Sequence, residues 1–186
     1  MAESATLVLL AISGSLRARS SNRLLLEAAS ALAPVGVRVD LYDGVAQLPH
    51  FNPDLDSSAI AAVVELTRRV RESDGVIVST PEYARGIPGA LKNALDWLVG
   101  GDGFVEKPFM LLNASERSQH AQRALIDVLR TMSGVAIDDA FATVPLLGKD
   151  LALDALLTDA RYAQPIRSHI ATFAAAIRAR RANRAD

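Results

Sequence analysis

Short apolar runs alternate with segments of helical periodicity along most of this chain, and that alternation restricts its possible folds more than any other feature. Apolar runs predict strands at residues 6–11, 37–41, 75–79 and 109–112, and another strand is expected within 135–144, broken near Asp138 and Asp139. Apolar residues at helical spacing predict helices at residues 24–32, 60–70, 91–98, 121–132 and 166–177. Repeated β–α units with short connections indicate a single α/β domain over residues 1–186, whose five-stranded parallel sheet has helices on both faces.

Turn and capping residues predict where these helices begin and end. Asp56 or Ser57 is expected to cap the second helix, Gly134 to end the fourth, and Pro165 to lie in the first turn of the last. The basic residues at about 178–186 are expected to form the solvated, frayed end of that last helix. A membrane or nucleic-acid role for this basic tail is the alternative interpretation.

Composition excludes several kinds of chemistry. The chain has no cysteine, which excludes disulfides and thiolate nucleophiles, and its three histidines lack metal-ligand spacing, so we expect no metal site. Because 20 Lys and Arg nearly balance 21 Asp and Glu, no nucleic-acid partner is indicated. The apolar start is too short to span a bilayer and follows Glu3, so we expect a cytoplasmic protein without membrane attachment. Because the chain has no cysteine, redox chemistry would need a bound cofactor.

Residues 12–22 join the first strand to the first helix, and their pattern predicts an anion site. A strand that runs into a loop of small, hydroxylated residues just before a helix leaves backbone N–H groups directed at one point. Ser15, Ser20 and Asn22 add short polar side chains, and Arg17 adds a guanidinium that can bind two phosphate oxygens. The pattern favours a phosphate monoester, although a turn whose hydroxyls merely cap the helix would contain the same residues.

Two common phosphate motifs are absent from this stretch. The Walker loop requires G-x-x-x-x-G-K-[ST], but Arg19 stands five residues after Gly14 and no lysine follows it. The dinucleotide fingerprint G-x-G-x-x-G fails as well, because Leu16 and Arg19 occupy the positions of its later glycines. A mononucleotide with one terminal phosphate therefore fits this loop better than a triphosphate or a dinucleotide.

Residues 79–97, after the third strand, are the second informative stretch. In a parallel sheet of order 2-1-3-4-5, ligands bind at the carboxyl edge between the first and third strands, so this segment would face the phosphate loop. Two prolines and two glycines give it an unusual path that can direct N–H and C=O groups at a flat heterocycle, with Tyr83 nearby. The alternative is that these residues only shape the connection, while Tyr83 and Trp97 pack.

Together these stretches resemble the NADPH-dependent FMN reductase family, which includes quinone, chromate and azo-dye reductases. The resemblance rests on G-S-L-R-x-x-S-x-N at residues 14–22 and on T-P-E-Y followed by G-x-L-K-N-A-x-D-W within residues 80–97. The loop at residues 48–55 is also similar to the family, and the likeness extends from Val8 to about Gly134. It implies a flavodoxin-like three-layer sandwich with strand order 2-1-3-4-5 and FMN as the cofactor.

The resemblance also implies which residues hold the cofactor. The first stretch would bind the FMN phosphate, and the second would run beside the isoalloxazine ring, mostly through main-chain groups. This chain departs from the family pattern at Ala84 and Gly86, where Asn and Ser are common, and at residues 113–120, where a glycine-rich turn is common. The implied cofactor-binding residues are Ser15, Leu16, Arg17, Ser20, Ser21 and Asn22 for the phosphate, and Pro81, Glu82, Tyr83, Ala84 and Ser115 elsewhere in the pocket.

The implied activity is that of an oxidoreductase in which the bound flavin, and no protein nucleophile, carries the chemistry. It would take hydride from NADPH or NADH and reduce flavin, quinone or a similar small electron acceptor, chromate and azo dyes included. Arg85 and Arg117 are candidates for binding an NADPH phosphate or an anionic acceptor, and the alternative is that they are solvated surface residues.

The same resemblance implies an assembly, and two rival functions are alternatives to the one that it implies. A homodimer or homotetramer is expected, formed through the apolar residues Leu91, Leu95 and Leu98 and the adjacent Trp97. One rival is a flavodoxin-like electron carrier without turnover, which the formal net charge of −1 disfavours because such carriers are usually acidic. Another is a phosphate-binding domain with a regulatory or structural role and no flavin.

Overall fold

Strand β1 (Leu7–Ser13) lies inside a parallel sheet in the computed structural model, which describes residues 6–146 and 149–185. The other strands are β2 (Val37–Tyr42), β3 (Gly75–Ser79), β4 (Pro108–Asn113), β5 (Val135–Ala136) and β6 (Ala142–Thr143). The order of the sheet is β2-β1-β3-β4-β5, and β6 also pairs with β4. All described pairings between these strands are parallel, so the prediction of a flavodoxin-like sheet of order 2-1-3-4-5 is confirmed.

Helices cover both faces of the sheet because successive residues of each buried strand point to opposite sides. The helices are α1 (Ser21–Ala31), α2 (Ala61–Glu72), α3 (Gly89–Val99), α4 (Gln119–Thr131), α5 (Leu153–Thr158) and α6 (Ala160–Ala185). In β1, Leu9 packs in the cluster that contains residues of α1 and α6, whereas Leu10 packs in the cluster that contains residues of α2, α3 and α4. Because the described strands are parallel, their carboxyl ends meet at one edge of the sheet, between the two helical layers.

The fifth position of the sheet is filled by two short strands instead of one. Asp138–Ala140 forms a 3-10 turn between β5 and β6, which confirms the predicted break near Asp138 and Asp139. Val135 is in register with Pro108, and Ala142 with Leu112, so the two strands extend β4 along different parts of its length.

Several predicted helix ends differ from the structure. Asp56 caps the 3-10 turn Ser57–Ala59 through the N–H of Ser58, whereas α2 begins after Ile60 without a side-chain cap. At the end of α4, Ser133 adopts the left-handed conformation with φ of 62°. The helix therefore ends at Thr131, three residues before the predicted Gly134. A Cβ at Gly134 would lie 2.5 Å from Cε1 of Phe104, so this position is too crowded for a side chain.

The C-terminal helix is longer and better anchored than the sequence suggested. It begins at Ala160, so Pro165 lies inside the helix. The prediction that Pro165 lies in the first turn is wrong. The helix continues to Ala185, and residues 181–184 are exposed, as expected for its solvated end. Its arginines contact the rest of the domain, since Arg178 donates to the carbonyl of Gly36 and Arg181 pairs with the carboxylate of Asp74.

The apolar residues expected to form an oligomer contact are buried within the subunit. Leu91 and Leu95 on α3 belong to the hydrophobic core of the α2, α3 and α4 layer. Trp97 is 5% exposed, and its indole N–H donates to the carbonyl of Pro49 at 2.8 Å. An oligomer interface on this side would have to use other residues. Within residues 6–146 and 149–185, no helix combines the length and apolar character needed to cross a membrane.

Candidate functional site at the carboxyl edge of the sheet

The loop from β1 to α1 is held in shape by its own side chains. The hydroxyl of Ser13 accepts a hydrogen bond from the N–H of Ser15 at 3.2 Å, and the hydroxyl of Ser15 accepts one from the N–H of Arg17 at 3.4 Å. Ser20 caps α1 by accepting from the N–H of Arg23 at 3.3 Å, and the O–H of the same hydroxyl can still donate to a ligand. The N–H groups in the first turn of α1 lack helical acceptors and provide an anion-binding end.

Gly14 brings this loop against the loop that follows β3. Its N–H donates to the carbonyl of Ser79 at 2.8 Å, and an added Cβ would lie 2.2 Å from Oγ1 of Thr80 and 2.9 Å from Cδ2 of Leu91. Such distances are far inside van der Waals contact, so only glycine fits without movement of the neighbouring segment. The glycine of the first stretch therefore sets the spacing between the two walls of the site.

Asn22 links α1 to β3 from inside the site. The residue is 8% exposed, and its Oδ1 accepts a hydrogen bond from the hydroxyl of Ser79 at 3.0 Å. This contact fixes the amide so that its NH2 group is the part left to donate to a ligand. Asn22 thus combines a structural bond with a donor that suits an anion.

The loop after β3 contains a tight turn with two residues in the left-handed conformation. The N–H and C=O groups of Tyr83 exchange hydrogen bonds with those of Gly86, at 3.1 and 2.9 Å. Between them, Ala84 has φ of 48° and Arg85 has φ of 59°, the pattern of a type I′ turn, which normally favours Asn and Gly. The side chain of Tyr83 is 50% exposed and lies at the mouth of the site.

Glu82 connects this loop to α4. One oxygen of its carboxylate, Oε2, accepts hydrogen bonds from the N–H groups of His120 and Ala121, at 2.8 and 3.0 Å. The negative charge lies at the positive end of the α4 dipole and satisfies two N–H groups there. Two helices, α1 and α4, have their first residues or caps among the residues that line the site, and Glu82 occupies the start of α4. The start of α1 is thus the end that is left to attract an anionic ligand.

The loop after β4 repeats the turn found after β1. The side-chain oxygen of Asn113 accepts from the N–H of Ser115 at 3.1 Å, and the hydroxyl of Ser115 accepts from the N–H of Arg117 at 3.1 Å. The corresponding bonds after β1 join residues at the same spacing, from Ser13 through Arg17. Each turn places an arginine at the carboxyl edge of the sheet, two residues after a serine.

These three loops enclose a cleft of about 330 Å³. The structure brings all the predicted cofactor-binding residues to this cleft except Leu16 and Ala84. Leu16 is 57% exposed and lines a neighbouring depression on the β2 side, and Ala84 lies in the outer turn. Arg85, considered for nucleotide binding, does not line the cleft, whereas Arg117 does. The lining residues that we did not predict as cofactor contacts are Arg19, Ala114, Arg117 and Ser118.

The sequence contains a pattern that predicts part of the wall formed by the loop after β4, Arg117 included. Asn113 and Ser115 repeat the spacing of Ser13 and Ser15, and each pair precedes an arginine by two residues. Because both follow a strand of the same parallel sheet, this repetition predicts two similar turns at one edge. Arg19 and Ser118 carried no such signal, since their positions depend on how each loop continues into its helix.

The fold and the cleft define a class of protein, a flavodoxin-like α/β domain with an anion site after β1 and a broad second wall after β3. Comparison with known sequences then identifies the family. The sequence profile of NADPH-dependent FMN reductases matches residues 7–146. The chain belongs to this family, which confirms the resemblance inferred from its motifs and agrees with the predicted FMN and nicotinamide nucleotide.

Individual relatives have related names. The quinone reductase of Escherichia coli K12 is 37% identical over 87 residues, which are 46% of this chain and 46% of that protein, so the match spans about half the relative. An NAD(P)H-dependent FMN reductase of Pseudomonas aeruginosa is 35% identical over 126 residues, 66% of this chain and 68% of that protein. Among solved structures, a flavoenzyme NAD(P)H:(acceptor) oxidoreductase from Paracoccus denitrificans has a TM-score of 0.82 at 29% identity, covering 92% of this chain and 97% of that one.

Proposed function

We propose that this protein is an FMN-dependent oxidoreductase that takes hydride from NADPH or NADH and reduces a flavin, a quinone or a similar small acceptor. The observation that carries the proposal is a difference between the starts of α1 and α4, which both lie at the cleft: only the start of α4 is capped by a carboxylate. Glu82 caps α4, while the start of α1 remains available beside Arg17, for which no ion pair exists among the described residues. This asymmetry favours one phosphate at α1 and a ring that extends toward the loop after β3.

The donors at the start of α1 fit a phosphate monoester. Ser15 and Ser20 supply hydroxyls, Asn22 supplies an amide N–H, and Arg17 supplies a guanidinium able to form charge-assisted hydrogen bonds. No second glycine-rich approach is present for a pyrophosphate, which favours FMN over FAD as the resident flavin. Ser21 would add its backbone N–H, as the family resemblance implies, whereas Leu16 lines the neighbouring depression.

The remaining walls would position the ring. Pro81, Glu82 and Tyr83 present main-chain groups and one aromatic side chain along the cleft, and Ser115 closes it from the β4 side. When bound, the flavin supplies the redox chemistry, since it accepts a hydride and passes two electrons to an acceptor. The protein therefore needs to bind, orient and shield the ring, and we assign no catalytic side chain.

Three measurements test the proposal. The purified protein should show a flavin absorption spectrum, directly or after reconstitution, and heat should release FMN and not FAD. Steady-state oxidation of NADPH with a quinone should be catalytic, which distinguishes an enzyme from a flavodoxin-like electron carrier. Failure to bind any flavin after reconstitution with FMN would overturn the assignment, and flavin binding without turnover would favour the carrier.

We also propose a homodimer or homotetramer, formed through residues other than the buried Leu91, Leu95, Leu98 and Trp97. Exposed apolar side chains lie on and near the α3 side of the domain, among them Phe51 and Val99, which are 42% and 61% exposed. Phe51 is held in place by edge-to-face contact with Trp97, with ring centroids 5.1 Å apart. Light scattering at micromolar concentration should give at least twice the 19.8 kDa chain mass. A monomeric mass would exclude this assembly.

A cytoplasmic location is proposed because the reaction requires reduced nicotinamide nucleotides.

A further inference from the structure

The cleft contains one arginine that is separate from the proposed phosphate site. Arg17 and Arg19 belong to the loop before α1, whereas Arg117 comes from the loop after β4. Because β3 lies between β1 and β4 in the sheet, those two loops start about 10 Å apart, twice the spacing of neighbouring strands. A flavin whose phosphate lies at the start of α1 would therefore bring its ring, and not its phosphate, to Arg117.

The backbone of Arg117 is held in a fixed turn. Its N–H donates to the hydroxyl of Ser115 at 3.1 Å, and the N–H of Ser118 donates to the carbonyl of Ser115 at 3.4 Å. The side-chain amide of Asn113 joins this turn to β6 through a hydrogen bond of 3.5 Å to the hydroxyl of Thr143. The exposed side chain of Arg117 therefore extends from a defined position at the cleft.

The charge of Arg117 is not neutralised by the described residues, among which it has no ion pair. Glu116, its neighbour in sequence, lines a different depression. Glu82 does line the cleft, but its carboxylate accepts hydrogen bonds from the N–H groups of His120 and Ala121. That carboxylate also offsets the positive end of the α4 dipole. The guanidinium of Arg117 is therefore the positive group on this wall of the cleft.

Reduction of the flavin creates a charge that this arginine can bind. In the proposed reaction a hydride leaves C4 of the nicotinamide and forms a bond to N5 of FMN, so a C–H bond breaks and two electrons enter the flavin ring. The nicotinamide ring becomes a cation, and the neutral flavin ring becomes an anion whose charge is spread over N1 and the C2 carbonyl. A group that binds this anion better than the oxidised ring stabilises the reduced state.

The donors of the cleft indicate which edge of the ring faces Arg117. One end of a flavin ring carries the carbonyl and N–H groups of its pyrimidine part, and the other end carries two methyl groups. On the β4 side, Ser115 and Ser118 line the cleft beside Arg117 and supply polar groups. Pro81, after β3, has no N–H to donate, and Tyr83 lies half-exposed at the mouth. The polar edge of the ring is therefore expected on the β4 side.

We propose that Arg117 binds the N1 and C2 carbonyl edge of reduced FMN and so raises the reduction potential of the bound flavin. The inference rests on the proposed function, because it concerns the same flavin. The guanidinium exchanges no proton with the ring and supplies only positive charge and N–H donors. Since the oxidised ring is neutral, the arginine should strengthen binding of the reduced form by about tenfold relative to the oxidised form.

Potentiometric titration of the FMN-loaded protein tests this inference without turnover. Arg117→Gln keeps the backbone bonds of the turn and removes the charge. Its affinity for oxidised FMN should stay within about twofold of the wild type, while its affinity for reduced FMN should fall about tenfold. For a two-electron couple, a tenfold change in this ratio lowers the reduction potential by about 30 mV. Arg117→Lys keeps the charge and should retain most of the wild-type potential.

Arg123→Gln is the matched control. Arg123 is exposed on α4, lies outside the cleft and has no ion pair among the residues that the structure describes, so this variant should keep the wild-type potential. An unchanged potential in Arg117→Gln, or an equal fall in Arg123→Gln, would overturn the inference. A protein that holds FMN but oxidises neither NADPH nor NADH would overturn the proposed function, while the measured potentials would still decide the role of Arg117. A protein that binds no FMN would overturn both.

Discussion

Glu82 and His120 are joined by a hydrogen bond of 2.8 Å between the carboxylate of the first and the backbone N–H of the second, although 38 positions separate them in sequence. The bond connects two of the three loops that enclose the cleft. Since Glu82 also bonds the N–H of Ala121, it acts as the cap of α4 from a different part of the chain. The shape of the cleft and the stability of α4 therefore depend on the same side chain.

Replacing Glu82 should affect both properties. Glu82→Ala is expected to lower the free energy of unfolding by about 1 kcal/mol, the usual cost of losing a helix cap, and to weaken FMN binding. Glu82→Gln keeps an acceptor oxygen and should retain most of the stability. Urea denaturation and flavin titration of both variants provide the measurements. If the alanine variant were as stable as the wild type, the capping bonds would contribute nothing to α4.

The position of the cleft could be predicted from the sequence because it depends on the order of strands and helices and on the residues of single loops. The apolar runs that became β1 and β3 are buried on both faces, and the carboxyl ends of parallel strands meet at one edge. The loop after β1 could be interpreted from its own residues, since its hydroxyls bond within the loop.

Other features could not be predicted because they depend on contacts between distant segments. The capping of α4 by Glu82 and the second bond of Asn22, to Ser79, join parts of the chain that only the fold brings together. The burial of Trp97 depends likewise on the carbonyl of Pro49. Apolar spacing on a helix identifies a face that packs, but it does not distinguish packing within a subunit from packing between subunits.

Gly14 provides a test of the contact between the two walls. Gly14→Ala should lower the free energy of unfolding by about 1–3 kcal/mol, the usual range for overpacking, because the new Cβ would overlap Thr80. Thr80→Ala removes the nearest atom, at 2.2 Å, but leaves its Cβ at 2.8 Å, so the double variant should recover part of the loss.

The matched control for this contact is Gly89→Ala. A Cβ at Gly89 would meet no atom within 4 Å, and the residue lies at the start of α3. This variant should be as stable as the wild type or slightly more so, since it restricts the unfolded chain. Equal losses for Gly14→Ala and Gly89→Ala would show that the close approach to Thr80 has no energetic consequence.

The turn from Tyr83 to Gly86 should be strained, and the strain can be measured. Arg85 has φ of 59°, a region that costs a residue with a side chain about 1–2 kcal/mol. Arg85→Gly should therefore raise the free energy of unfolding by about 0.5–1 kcal/mol, after the entropy cost of glycine in the unfolded chain is subtracted. Arg85→Ala keeps a Cβ in the same conformation and should show no such gain. A glycine variant no more stable than the alanine variant would show that the turn is unstrained.

Arg17 is the residue on which the assignment of the phosphate depends most. If its guanidinium forms charge-assisted hydrogen bonds to the FMN phosphate, Arg17→Ala should weaken FMN binding by about 1.5–3 kcal/mol, or roughly tenfold to a hundredfold. Riboflavin has the same ring without the phosphate, so its affinity should be almost unchanged in the variant. Fluorescence titrations of both flavins into wild-type and variant apoprotein measure this contrast. A residue needed for folding would instead weaken both flavins together and lower the thermal stability without ligand. Equal losses for the two flavins would place the phosphate elsewhere and assign Arg17 a structural role.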